Sequence, residues 1–120
     1  MRDGDEEFLR SGAKQLKVSD AIIDKSLAIL DETEQEDVTL SSRSRRTRCA
    51  SAIYIVLLLE GKHVNQNTCA VVFDTTEVSV RAVHKQMLAS YLRLHPSQYS
   101  LPNTWGLAKK IARLKSIGGA

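Results

Sequence analysis

The sequence predicts an all-α protein of five helices followed by a basic tail. Apolar residues recur at helical spacing through most of the chain, and no stretch alternates convincingly as a strand would. Aromatics make up only 5% of the residues, which suits packed helices better than a β-sandwich. At 120 residues the chain makes one domain, large enough for a core without disulfide or metal staples. The predicted division is a helical domain over 1–95, with a helix-turn-helix at about 65–94, and a tail over 96–120.

Phe8, Leu9, Ala13 and Leu16 place a first helix over Asp5 to Val18. Ser19 is an N-cap candidate for a second, whose apolar positions are Ile22, Ile23, Leu27 and Leu30 and which ends near Asp37. In the polar stretch "TLSSRSRRTR" any of Ser41, Ser42 or Ser44 can cap a third helix. Cys49 to Leu59 is apolar nearly all round, so this third helix should be the most buried, with Gly61 as its C′ residue. A brief fourth helix opens at Asn65 or Asn67. The fifth runs to about Leu94 before Pro96, with Asp74 and Glu77 as its expected capping pair. The tail has room for a further basic amphipathic turn or two from Thr104.

The net charge of +3 conceals a polarity. Acids outnumber bases from Met1 to Leu40, whereas from Ser41 onward the only acids are Glu60, Asp74 and Glu77. Such asymmetry points to a surface that faces a polyanion. Cys49 and Cys69 lack any CxxC spacing and read as buried free thiols of a soluble, reducing-compartment protein. The longest apolar run, "AIYIVLLL", is far too short for a membrane span.

Projected at about 100° per residue, the fifth helix puts Val80, Val83, His84, Met87, Tyr91 and Leu94 on a core face. Val78, Ala82, Lys85 and Ala89 fall opposite, with Arg81 beside them. A face meant only for water would carry Glu, Lys and Gln rather than Val78 and Ala82. Small residues permit close approach to base edges, a valine can touch a thymine methyl, and an arginine can fork onto guanine. Val78, Arg81, Ala82 and Lys85 are therefore the candidate base contacts. A short helix, a tight turn and a longer exposed helix make a helix-turn-helix. The other reading of this face is a contact with a partner protein. Arg43, Arg45, Arg46 and Arg48 at the start of the third helix, with Lys109 and Lys110 in the tail, are the candidate phosphate contacts. Arg113 and Lys115 extend that basic tail, and Trp105 is expected to pack it onto the domain.

The stretch "ASAIYIVLLLEGKHVNQNTCAVVFDTTEVSVRAVHKQML" resembles the second half of a cyclin-box repeat in the core domain of archaeal transcription factor B and eukaryotic transcription factor IIB. "AIY", the glycine-containing link, Gln66 and above all "EVSVR" carry the resemblance, and "LKVSDAIIDKSLAIL" fits the repeat's first two helices. It covers about residues 7–94. The resemblance implies a five-helix cyclin-box-like bundle whose helix-turn-helix reads promoter DNA, with Val78 and Arg81 at base-contacting positions. It also implies TATA-binding protein and RNA polymerase as possible partners. There are departures: no zinc-ligand cysteine pairs, one repeat's worth of helices, Asp74 where the family's turn often has glycine, and His84 where it often has an aromatic.

Nothing here reads as an enzyme. His63, His84 and His95 share no ligand spacing with each other or with the cysteines, and no nucleophile or nucleotide-binding motif appears. Neither a metal nor a cofactor is expected. Glu34 and Asp37 read as a frayed, solvated helix end. Two functions remain: a promoter-reading, transcription-factor-B-like module, and a cyclin-like module that binds a transcription protein without reading DNA. The expected compartment is the nucleoid-bearing cytoplasm for a prokaryotic chain and the nucleus for a eukaryotic one.

Overall fold

The computed structural model describes residues 4–62 and 64–96. His63 and the tail residues Trp105, Lys109, Lys110, Arg113 and Lys115 lie outside them. The elements are α1 (Asp5–Leu16), α2 (Asp20–Glu36), a 3-10 turn (Val38–Ser42), α3 (Arg45–Leu59), α4 (Gln66–Val72) and α5 (Glu77–Leu94). The five helices and the absence of strands among the described residues match the expected cyclin-box-like bundle.

α3 is the axis of the bundle. It packs against all four other helices, and every residue from Thr47 to Leu57 is buried. That is the behaviour of a helix apolar on all sides. The starts of α2 to α5 are each fixed by a side-chain oxygen that accepts a backbone N–H: Ser19 from Ile22, Ser44 from Thr47, Asn65 from Thr68 and Thr76 from Ser79. Such caps contribute about 1 kcal/mol each. α3 ends as expected at Gly61, whose φ of 73° allows the N–H of Lys62 to reach the carbonyl of Leu57 at 2.9 Å.

The turn between α4 and α5 departs from the expectation. Asp74 does not cap α5; it closes α4. With φ of 57° it occupies the left-handed C′ position, where its own N–H meets Val71 O at 3.2 Å and that of Thr75 meets Ala70 O at 2.9 Å. One residue of this four-residue link must turn left-handed. Aspartate tolerates that region better than the β-branched threonines that follow, so the cap passes to Thr76. The glycine-like geometry of the turn is thus kept without glycine. Asp74→Gly is expected to stabilise the fold by about 1 kcal/mol, read as a higher urea midpoint at unchanged slope.

Two other sequence expectations are corrected by packing. Val80, Val83, His84 and Met87 are buried as projected, but Tyr91 is half-buried and Leu94 is 42% exposed, while Leu88 and Leu92 are buried instead. α2 and the 3-10 turn also pack on α5, which widens its buried arc beyond one stripe. His84 sits edge-on to Tyr54 with ring centroids 5.1 Å apart, and its Nδ1 lies 3.1 Å from Val80 O. The imidazole therefore fills the core.

Arg48 and Glu34 make the second correction. Arg48 is no phosphate contact, because it is fully buried. Its Nη1 lies 2.9 Å from Asp5 Oδ2 and 2.5 Å from Glu34 Oε1, while its Nε donates to Arg43 O at 3.1 Å. Glu34 accordingly belongs to the interior rather than to a frayed end. One guanidinium ties the start of α1, the end of α2 and the start of α3, and only such multiple pairing makes a buried charge tolerable. Asp37 is also ordered, as the cap of the 3-10 turn: its Oδ1 accepts the Thr39 N–H at 3.1 Å.

α1 reaches the helix-turn-helix through Gly12. A Cβ at this position would stand 2.2 Å from Cε1 of Phe73, the residue that ends α4. Phe8 completes the contact, its ring centroid 5.9 Å from that of Phe73.

Candidate nucleic-acid interface

The N-termini of α3 and α5 lie side by side. Their segments are joined by a hydrogen bond of 2.8 Å between the hydroxyls of Thr47 and Thr75. A cleft of about 630 Å³ opens here, lined by residues that include Arg45, Arg46, Asp74, Thr76 and Ser79. A neighbouring hollow of about 400 Å³ is lined by Arg43, Ser44, Val78, Ser79, Ala82 and others. Helix N-termini carry partial positive charge and unpaired N–H groups, so this edge of the molecule favours anions.

The open front of α5 is where the sequence placed it. Val78 is 69% exposed, Arg81 and Ala82 are exposed, and Lys85 is half-buried. Arg81 leans on Glu77 one turn back, at 3.2 Å. This exposed pair is worth a few tenths of a kcal/mol, little enough for an incoming acceptor to displace the carboxylate.

The arginine cluster divides. Arg43 and Arg46 are exposed, and Arg46 pairs with Asp74 at 3.1 Å. Arg45, exposed on one side, is drawn to buried Asp5 at 2.8 Å. Arg48 has left the surface altogether. The charge polarity along the chain is thus partly consumed inside it, since Arg45, Arg48 and Arg93 all pair with carboxylates of α1 and α2. The Arg93 hydrogen bond holds the Glu36 carboxyl below its ordinary range, and the Thr39 hydroxyl does the same for Asp37. Arg43, Arg46, Arg81 and Lys85 remain along the two helix starts.

The sequence reading missed Gln86. Counting by fours from Val78 through Ala82 leads directly to it, so the helical period carried the signal. Its amide donates to Asp37 Oδ2 at 3.1 Å and to Thr39 Oγ1 at 2.6 Å, and its oxygen accepts from Arg43 Nη2 at 3.2 Å. Both thiols are buried and free; burial pushes Cys49 up to about 12 and Cys69 up to about 11. Among the described residues no three His, Cys, Asp or Glu side chains form a metal-holding group, and no helix is long and apolar enough to cross a membrane.

A bundle wound round one buried helix, which leaves the front of a helix-turn-helix open beside arginines, defines an all-α module of the cyclin-box type. Comparison with known proteins narrows this class. The chain is 33% identical over 82 residues to transcription initiation factor IIB of Pyrococcus furiosus, a match that covers 68% of this chain and 27% of that protein. It is 32% identical over 82 residues to transcription initiation factor IIB 1 of Thermococcus kodakarensis, and 32% over 75 residues to transcription initiation factor IIB of Pyrobaculum islandicum. In the latter the match covers 62% of this chain and 22% of the relative. Over the matched residues the chain is homologous to the transcription factor B/transcription factor IIB core-domain family. It spans about a quarter of the length of the curated relatives it matches. No protein-family model and no solved structure matches the chain significantly.

Proposed function

We propose that this module reads promoter DNA with the N-terminal half of α5. The observation that carries the reading is the open face of Val78, Arg81 and Ala82, presented next to Arg43 and Arg46 at two adjoining helix starts. Val78 and Ala82 allow close contact with base edges, Arg81 and Lys85 donate to guanine or to acceptors nearby, and Arg43 and Arg46 hold phosphates, while Arg45 is engaged by Asp5. Lys109 and Lys110 add basic charge from the tail. Homology to transcription initiation factors supports a role in initiation.

The test is fluorescence anisotropy of a promoter-like duplex and a scrambled one, each titrated at several salt concentrations. Arg81→Ala is expected to cost about 1–3 kcal/mol on the preferred duplex and much less on the scrambled one. Arg46→Gln should weaken both duplexes alike and reduce the salt slope by about 0.9. Equal losses on both duplexes for Arg81→Ala would remove it from base reading.

The second reading is a protein-interaction module that binds TATA-binding protein, polymerase or another regulator. Exposed Val38 and Val71, at 72% and 68%, favour it, since apolar side chains on open surface are suited to a protein contact. Binding that survives rising salt would select this reading, because phosphate-driven binding would not.

A further inference from the structure

Most arginines of the described chain face a carboxylate. Arg10 has Glu6 and Asp24, Arg45 has Asp5, Arg46 has Asp74, Arg48 has Asp5 and Glu34, Arg81 has Glu77, and Arg93 has Glu36. Arg43 differs. Its guanidinium is met by the neutral amide oxygen of Gln86, and among the described residues it has no carboxylate partner. Its backbone is held as well, because its carbonyl accepts from the buried Nε of Arg48 at 3.1 Å and its N–H donates to Leu40 O at 3.0 Å. The cation is thus fixed at both ends without being neutralised.

Gln86 achieves this by spanning two elements. Its two amide protons go to Asp37 and Thr39 on the turn before α3, and its oxygen goes to Arg43 just beyond that turn. Leu40, fully buried, anchors the same turn in the core. Val78, Ala82 and Gln86 follow one another at four-residue steps, so one stripe of α5 is open in its first half and roofed by the turn at Gln86. Arg43 projects from the edge of this roof into the hollow that also holds Val78 and Ala82. A duplex groove seated on the open half would bring a backbone phosphate to that edge. A glutamate at position 86 would orient the arginine too, but it would cancel its charge and face Asp37.

We infer that Gln86 is a positioning residue that, through Arg43, sets a phosphate anchor beside the reading face of α5. This rests on the DNA-reading proposal above. The experiment compares Gln86→Leu, Gln86→Glu, Arg43→Gln and the double Gln86→Leu/Arg43→Gln by anisotropy over a salt series. Amide hydrogen exchange of Leu40 and Arg43 in the free proteins is followed alongside.

Arg43→Gln should weaken both duplexes about fivefold at low salt and reduce the salt slope by about 0.9. Gln86→Leu should move affinity and slope in the same direction and add nothing once Arg43 is already replaced. Gln86→Glu should match Arg43→Gln. Exchange at Leu40 and Arg43 should quicken in both Gln86 variants. Independent, multiplying losses, an unchanged salt slope in Gln86→Leu, or unchanged exchange would each overturn the positioning role while leaving DNA reading intact. Absence of DNA binding by the unsubstituted protein at every salt concentration would overturn both.

Discussion

Arg48→Met is expected to lower the free energy of unfolding by about 3–5 kcal/mol, measured by urea denaturation at neutral pH. The guanidinium is fully buried between two carboxylates, Asp5 at 0% exposure and Glu34 at 7%. Methionine fills much of the volume but removes the cation those carboxylates share. Arg45 still reaches Asp5, so the loss should fall hardest on Glu34 and the end of α2. Replacing the set together, with Glu34→Leu and Asp5→Asn beside Arg48→Met, should recover most of the stability, because a whole buried ionic group exchanged for compatible side chains is often neutral. A single variant as stable as the parent would mean that water reaches the cluster. Far-ultraviolet circular dichroism distinguishes local loosening at the end of α2 from global loss, since Glu34 joins α2 to α3 through Arg48.

Phe73→Ala should cost a similar amount, about 3–5 kcal/mol. The ring ends α4, is 2% exposed, and lies against α1 where Gly12 leaves no room for a side chain. Gly12→Ala in the parent should destabilise by about 1–3 kcal/mol as the ring is forced aside, although alanine is the better helix former. In the Phe73→Ala background the same change should become neutral or favourable, because its methyl enters vacated space. That reversal of sign, read from the four urea midpoints of a double-mutant cycle, isolates the contact. Additive effects would show that α1 and the end of α4 do not press on each other.

What the sequence made legible was local. Ser19, Ser44 and Asn65 act at the positions where a cap was expected, Gly61 closes α3, and Val78 and Ala82 are open as the helical period implied. The misses involve partners distant along the chain. Arg48 sits among arginines and reads as surface until Asp5, 43 residues away, is brought to it. Its phase was nonetheless informative, for Arg48 lies one turn before Ala52 and two before Ile55, both fully buried. Asp74 suits both an N-cap and a left-handed turn, and only the four-residue length of the link decides between them. Leu88 and Leu92 were lost to a single-stripe projection of a helix that other elements cover from more than one side.

The two sulfurs have a use in time rather than in space. Thiolate is the species that reacts with alkylating reagents, and burial raises both thiols far above neutral pH. Cys49 on α3 and Cys69 on α4 are therefore silent in the closed fold, and each becomes a nucleophile only when its own helix opens. Their separate labelling rates are two clocks in one molecule. One times the undoing of the central axis, the other the release of the short helix that precedes the turn into α5.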